Sequence, residues 1–378
     1  MEMLLIGCGY IGSILARHLS EKKPSIKIVI SDASRERVES VAVAINRNNV
    51  QPFQLDLYDY DRLVKIMGDF DLVVGLAPGK LGYHTIKAAV EAKVNLVDLS
   101  YLSEDPLQFD SEASQANITI IPDCGVAPGL SNILVGRAYS LLESVSNVRM
   151  FIGGLPQERI PPLEYKITWC VEDLLEEYVR DATIIMDGKP TKVQALDGLE
   201  ELDFPELGRL EAFYTDGLRT LHHTIRGIKN MWEKTLRYPG HAEKIKLLRA
   251  LGLFDDAKID GVSPRRVLME LFKKKLRFPA IKDLLAMKVE LEGEKNGIKT
   301  RYSYHLLDHH NEITNISAMG RTTAYTASAV IQLLIENKID EKGVVPPESL
   351  GMDDKLFPKI KAKLEREGIK IIEEKLQS

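Results

Sequence analysis

The sequence predicts a two-part chain: an N-terminal α/β domain with a doubly wound parallel sheet, then an α+β domain with a largely antiparallel sheet. Three observations carry this reading. Over the first 122 residues, short apolar runs alternate with amphipathic stretches of helical length, the pattern of right-handed βαβ units. Past Pro128-Gly129 the alternation stops, the segments lengthen, and prolines cluster at Pro156, Pro161 and Pro162. Further on, residues 287–291 and 300–307 alternate polar and apolar side chains around Asn296-Gly297. That pair suits a type I′ hairpin turn, which needs positive φ at both central positions.

In chain order, residues 3–6, 26–30, 50–55, 71–74, 94–97 and 118–121 read as six strands, with helical patterns over 11–21, 35–47 and 82–92. From 317 to 335 the chain turns helical again with Ala, Ile and Leu along one face, and it is expected to return to the first domain. The charged, amphipathic stretch 353–375 reads as a surface helix and a last short strand. The expected organisation is therefore a nucleotide-binding domain at 1–122, a substrate domain at 123–316, and a returning segment at 317–378.

Composition narrows the partners. The chain has 378 residues, 44% hydrophobic and 28% charged, enough for ordinary globular cores. A net charge of -5 gives no electrostatic case for nucleic acid, and Lys273-Lys274-Lys275-Leu276-Arg277 reads as a solvated helix end. Three cysteines, Cys8, Cys124 and Cys170, are too few for a disulfide framework and are spaced unlike any zinc motif. No charged-then-apolar leader is seen, and no apolar run nears the roughly 18 residues a membrane span requires. The expectation is a cytoplasmic protein with no metal, no membrane and no nucleic-acid partner, acting on a small molecule as a homodimer or higher homo-oligomer.

Gly7, Gly9 and Gly12 form G-x-G-x-x-G directly after the first strand and at the start of the first helix. The first glycine permits the tight turn, the second lets the backbone approach a pyrophosphate, and the third allows close helix–strand packing. Tyr10 and Ile11 open the helix, whose free N–H groups favour an anion. This is the Rossmann fingerprint for a nicotinamide dinucleotide. Asp32 ends the second strand twenty residues beyond Gly12, where a carboxylate accepts bonds from the ribose hydroxyls of NAD and repels the extra phosphate of NADP. Arg35 is of the type that pairs with that phosphate, or is a solvated first-turn residue, so NAD is the expected cofactor with NADP left open. Ala77 and Pro78, after the fourth strand, and Ser100, after the fifth, fall on the same crevice. Asp56, after the third strand, either reaches the adenine or closes a local turn.

Where the second domain begins, Asp123-Cys124-Gly125-Val126-Ala127-Pro128-Gly129-Leu130-Ser131-Asn132 resembles the junction motif of the saccharopine dehydrogenase superfamily. The likeness continues through Gly153-Gly154-Leu155-Pro156, Pro162-Leu163-Glu164-Tyr165-Lys166-Ile167-Thr168-Trp169 and Glu211-Ala212-Phe213-Tyr214-Thr215-Asp216-Gly217. Lys234-Thr235-Leu236-Arg237-Tyr238-Pro239-Gly240-His241, Ser317-Ala318-Met319-Gly320-Arg321-Thr322-Thr323-Ala324-Tyr325 and Gly343-Val344-Val345-Pro346-Pro347-Glu348 carry it to nearly the whole length. Within the superfamily the chain is most similar to the lysine 6-dehydrogenase branch. That resemblance implies oxidation of the ε-amino group of L-lysine by NAD, imine hydrolysis releasing ammonia, and cyclisation of the semialdehyde to piperideine-6-carboxylate. The saccharopine branch carries an acidic residue inside Gly-x-x-Pro-Gly, where this chain has Ala127; Arg219 stands where bacterial lysine enzymes are glycine- and serine-rich. A saccharopine- or carboxynorspermidine-type enzyme is the alternative, and a non-catalytic NAD-binding protein a third reading.

Amine oxidation by hydride transfer needs a neutral amine, a base for its proton and a water for the imine, while the cofactor carries the hydride. An amino-acid substrate also needs a cation for its α-carboxylate. Arg237, Arg219 and Lys166 are the clamp candidates, and each is alternatively a salt-bridge residue. Asp123, Asp216 and His241 are the acid–base candidates, with a cap, an interdomain hydrogen bond or a loop role as the other readings. Thr168 and Trp169 lie in a shared motif and are placed in the substrate pocket, Trp169 with Tyr165 walling it or filling the core. Asp308-His309-His310 has metal-ligand types but reads as a turn, and Cys124 as a small buried hydrophobe.

Overall fold

Unbroken runs such as Met3-Leu4-Leu5-Ile6 can be buried on both faces, which is what the inner strands of a parallel sheet require. The computed structural model describes residues 1–377 and follows that logic. In chain order its elements are β1 (Glu2–Ile6), α1 (Tyr10–Lys22), β2 (Lys27–Asp32), α2 (Arg35–Ile45), β3 (Val50–Gln54), α3 (Tyr60–Met67), β4 (Leu72–Gly75), α4 (Gly82–Ala92), β5 (Asn95–Asp98), α5 (Asp110–Gln115), β6 (Thr119–Ile121) and α6 (Leu130–Leu141). There follow β7 (Ser144–Pro156), α7 (Val171–Glu177), β8 (Ala182–Met186), β9 (Lys189–Val193), β10 (Glu200–Phe204), β11 (Gly208–Tyr214), α8 (Leu221–Thr224) and β12 (Asn230–Arg237). The rest are α9 (His241–Ala250), α10 (Pro264–Lys275), β13 (Asp283–Lys295), β14 (Ile298–His309), α11 (Ala318–Ile335), β15 (Gly343–Val344), α12 (Pro347–Met352), α13 (Leu356–Arg366) and β16 (Ile372–Gln377).

Two compact units result, one of residues 1–137 and 320–368, the other of 138–319 and the stretch from 369. In the first, a parallel sheet runs β3-β2-β1-β4-β5-β6-β15. Strand order reverses between β1 and β4, and the crevice at the carboxyl ends of strands there is the ligand site of such sheets. The helix α11 packs in this unit: Ser328 Oγ lies 2.8 Å from His18 Nδ1, and the His18 ring stacks on Tyr325 at 4.1 Å. Buried aliphatics from Leu4, Val73, Ile86, Leu96 and Ile120 form the core below the crevice.

The second unit is built on a mixed, largely antiparallel sheet with main path β10-β11-β12-β7-β13-β14-β16. Only β12–β7 on that path is parallel. The β13–β14 hairpin turns at Asn296 (φ 54) and Gly297 (φ 70), the positive pair that a type I′ turn demands. A bulge at Glu292/Gly293 brings β13 so close to the Ser144 carbonyl that only glycine fits. Two carboxylates cap helices here. Glu211 accepts the Gly240 N–H at 2.7 Å and the Ala242 N–H at the start of α9, and Asp283 accepts those of Ala318 and Met319 at 2.8 and 3.0 Å at the start of α11.

Several expectations shift. The first unit runs on to Arg137, and the returning segment begins at Gly320 and ends at Gly368. The last strand does not return with it, because β16 hydrogen-bonds along β14 in the second unit. Asp308-His309 is not a turn but the end of β14, paired with Leu285 and Leu284. Among the described residues no cluster of metal-ligand type occurs, and no helix is long and apolar enough to cross a membrane.

Candidate active site

In the first unit Gly7 has φ +114, and a Cβ there would lie 2.7 Å from the Leu76 carbonyl oxygen. A Cβ on Gly12 would overlap the Gly7 carbonyl, whereas one on Gly9 would meet nothing within 4 Å. Gly7 and Gly12 therefore close the turn, and Gly9 is its open side. Gly9 also precedes α1 as its N-cap and contributes no side-chain cap, and exposed Tyr10 and half-buried Ile11 open the helix.

Asp32 stands at the end of β2. Its carboxylate accepts the Cys8 N–H at 3.2 Å and the Ser34 N–H at 3.0 Å, which orient it over the turn. Arg37 Nη1 lies 3.4 and 3.3 Å from its two oxygens. Arg35, singled out from the sequence, instead pairs with Glu39 one helical turn on, at 2.7 Å. The cation beside Asp32 is thus Arg37, three places past the N-cap Ser34. The Cys8 thiol is pushed up to about 12 by burial and by Asp32, so it is inert.

Along the same strand ends, Ala77 is buried and Pro78 half-buried. Ser100 is buried, with its N–H (2.9 Å) and hydroxyl both given to Asp98. Asp98 ends β5 and opens the stretch Asp98-Leu99-Ser100-Tyr101 that the sequence places after the fifth strand. Asp123 is 1% exposed with φ 51, and Cys124 donates its N–H to the Asp98 carbonyl at 2.8 Å. Burial raises the Cys124 thiol, in keeping with a small buried hydrophobe. Asp56 is exposed and accepts the Tyr58 N–H at 3.0 Å, an Asx turn.

The second unit holds a buried polar chain. Arg237 donates Nη2 to Glu177 at 2.8 Å and lies over the Tyr165 ring at 4.4 Å. His241 is sealed beside them: Nδ1 donates to the Leu163 carbonyl at 2.8 Å and Nε2 accepts from the Tyr178 hydroxyl at 2.9 Å. Burial and Arg237 push its pKa down to about 3, so the ring is neutral with both nitrogens occupied. Arg237 and His241, expected from the sequence to meet the substrate, both have internal partners here.

Just past β11, Thr215 Oγ1 lies 3.2 Å from Glu233 Oε1 and 3.0 Å from Thr235 Oγ1, both on β12 with Arg237. Glu233 Oε2 is buried without a hydrogen-bond partner, and Gly217 packs so closely on it that a Cβ would overlap the carboxyl. Burial, reinforced by the Glu177 and Asp216 charges, pushes Glu233 up to about 8 against the pull of Thr215 and Arg219. Asp216 lies 3.9 Å from both Arg180 and Arg219, and Arg219 is buried at φ 53. Glu233 escaped the sequence reading because Met-Trp-Glu-Lys is an ordinary strand pattern; only burial distinguishes it.

Three further expected residues have local roles. Lys166 Nζ donates to the carbonyls of Phe278 (3.1 Å) and Ile281, and burial lowers its pKa. Trp169 Nε1 donates to the Tyr165 hydroxyl at 3.1 Å. Thr168 Oγ1 is buried with no partner, an open hydrogen-bonding group.

A glycine cradle at the reversal point of a parallel sheet marks a Rossmann-type dinucleotide-binding unit, here on a chain with a second unit built on a mixed sheet. The chain belongs to the saccharopine dehydrogenase family. The saccharopine dehydrogenase C-terminal domain matches residues 125–369, and the saccharopine dehydrogenase NADP binding domain matches residues 3–121. The mitochondrial alpha-aminoadipic semialdehyde synthase of Bos taurus is 24% identical over 96% of this chain and 47% of its own length. The chain therefore spans about half of that relative. Carboxyaminopropylagmatine dehydrogenase of Synechocystis is 20% identical over 93% of both chains. The apo saccharopine dehydrogenase (L-Glu forming) of Saccharomyces cerevisiae shares the fold, with a TM-score of 0.79 at 17% identity over 99% of both chains.

Proposed function

We propose that this protein oxidises the ε-amino group of L-lysine with NAD, releasing ammonia and the 6-semialdehyde that cyclises to piperideine-6-carboxylate. The observation that carries the amine part is Glu233, a buried carboxyl with one oxygen lacking a donor. Once ionised, that carboxyl is an acceptor-only group complementary to the N–H of an amine, and a pKa raised to about 8 suits it to take the amine's proton. Asp216, held near Arg180 and Arg219, would carry charge beside it, and Thr168 offers a free hydroxyl. Arg219 replaces Arg237 as the first choice for the α-carboxylate, since Arg237 is paired one to one with Glu177 at 2.8 Å whereas Arg219 and Arg180 share the carboxylate of Asp216 at 3.9 Å. Gly7, Gly9 and Gly12 would hold the pyrophosphate on the N–H groups of Tyr10 and Ile11. Asp32 would hold the adenosine ribose, with Ala77, Pro78 and Ser100 beside the nicotinamide half. When bound, NAD accepts the hydride; the chain's residues position the amine and move its proton.

A second reading is favoured by the relatives: oxidation of a secondary amine of the saccharopine or carboxyaminopropylagmatine kind, with NADP. NADH formation from L-lysine and NAD alone supports the first reading. Turnover only with a secondary amine, or only as reductive coupling of an amine with a carbonyl compound, replaces it with the second.

A further inference from the structure

The nine-stranded sheet of the second unit ends its main path on two edges that differ in charge pattern. At one edge β10 reads Glu200-Glu201-Leu202-Asp203-Phe204, with no basic residue. Antiparallel pairing of β10 with its own copy about any of its three central residues sets carboxylates opposite carboxylates, the pattern by which edge strands repel their like.

At the other edge β16 reads Ile372-Glu373-Glu374-Lys375-Leu376-Gln377, and all six residues are exposed. One side of the strand pairs with β14 from Thr300 to His305; the other meets no strand among the described residues. Two-fold pairing of a strand with its copy sets one residue opposite itself and its neighbours opposite each other in reverse order. Centred on Glu373 or Lys375, that arrangement opposes apolar to charged residues. Centred on Glu374, it opposes Glu373 to Lys375 twice and Ile372 to Leu376 twice. The exposed apolar side chains Ile372 (60%) and Leu376 (52%) then cover one another. The single like pair, Glu374 with its own copy, is flanked by His305, whose Nε2 is 3.8 Å from Glu374.

We propose that β16 pairs antiparallel with β16 of a second copy of this chain, about a two-fold axis through Glu374, joining two nine-stranded sheets into one. The occupant is a second copy because charge and apolar side chains are both self-complementary in one register of β16 and in none of β10.

Light scattering and sedimentation equilibrium on the full chain test this, with circular dichroism melts to show that each variant is folded. The unmodified chain is expected to be dimeric at micromolar concentration. Glu373→Lys, which opposes lysines at two places, raises the dimer Kd by about tenfold or more. Glu373→Lys with Lys375→Glu restores it to within about threefold, and Glu374→Gln tightens it. A chain monomeric at all concentrations overturns the proposal. So does a dimer indifferent to Glu373→Lys, including one broken only by Leu247→Lys on the exposed apolar face of α9.

Discussion

Nη2 of Arg237 donates to Oε1 of Glu177 across 2.8 Å, with the guanidinium 4.4 Å from the centre of the Tyr165 ring. Both charges are buried. Burial works against the guanidinium charge, but Glu177 and the Tyr178 and Tyr165 hydroxyls outweigh it and raise the pKa. Removing one member of such a pair strands the other in a low dielectric, at a cost of about 3–5 kcal/mol. Arg237→Ala is therefore expected to lower the melting temperature sharply, and Arg237→Met with Glu177→Gln to recover most of the loss. A folded Arg237→Ala protein of unchanged melting temperature that fails only with lysine would return the arginine to the substrate.

Glu233 sets a pH dependence. Its folded pKa of about 8 lies above the ordinary 4.5, so between those values the folded chain holds a proton that the unfolded chain releases. Stability from the protonated form is complete below about pH 4.5 and lost as pH rises through about 8. Glu233→Gln should raise the melting temperature at pH 9 and leave it nearly unchanged at pH 4.

The same residue gives a kinetic signature. As the base for the amine's proton, Glu233 is competent only when ionised, so kcat/KM for oxidation should climb through pH 8. Glu233→Gln should remove that limb and lower kcat by about a hundredfold or more. A limb that persists in the variant assigns the proton to another group.

Asp32 and Arg37 decide the cofactor. Asp32→Ala is expected to raise use of NADP relative to NAD by about tenfold or more, since it removes the carboxylate that repels the extra phosphate. Arg37→Ala removes the cation 3.3 Å from that carboxylate and should sharpen the preference for NAD. Equal KM values for NAD and NADP in the unmodified protein would sink both expectations.

Gly9 and Gly12 should separate binding from folding. A methyl on Gly9 meets no atom within 4 Å of the protein, so Gly9→Ala should keep the melting temperature and weaken NAD binding by filling the pyrophosphate's approach. A methyl on Gly12 overlaps the Gly7 carbonyl, so Gly12→Ala should lower both. Calorimetry with NAD beside thermal melts reads the two effects; unchanged affinity in Gly9→Ala would remove the cradle from the cofactor site.

By itself the sequence determined whatever depends on short-range conformation. The positive φ values at Asn296 and Gly297, the tight turn at Gly7 and the apolar runs of the parallel strands are requirements of single residues and their neighbours, legible without the rest of the chain. Tertiary structure alone decided partnership and burial. Arg35 and Arg37 look alike in sequence, but helix geometry turns one onto Glu39 and the other onto Asp32. Arg237 resembled a substrate clamp until folding set Glu177, sixty residues away, against it. Glu233 is an ordinary strand glutamate until Gly217 and Thr215 close over it, and β16 belongs to the second unit only because β14 offers it an edge. Charge state and strand pairing depend on atoms brought together from distant positions, and a linear pattern carries no measure of that desolvation.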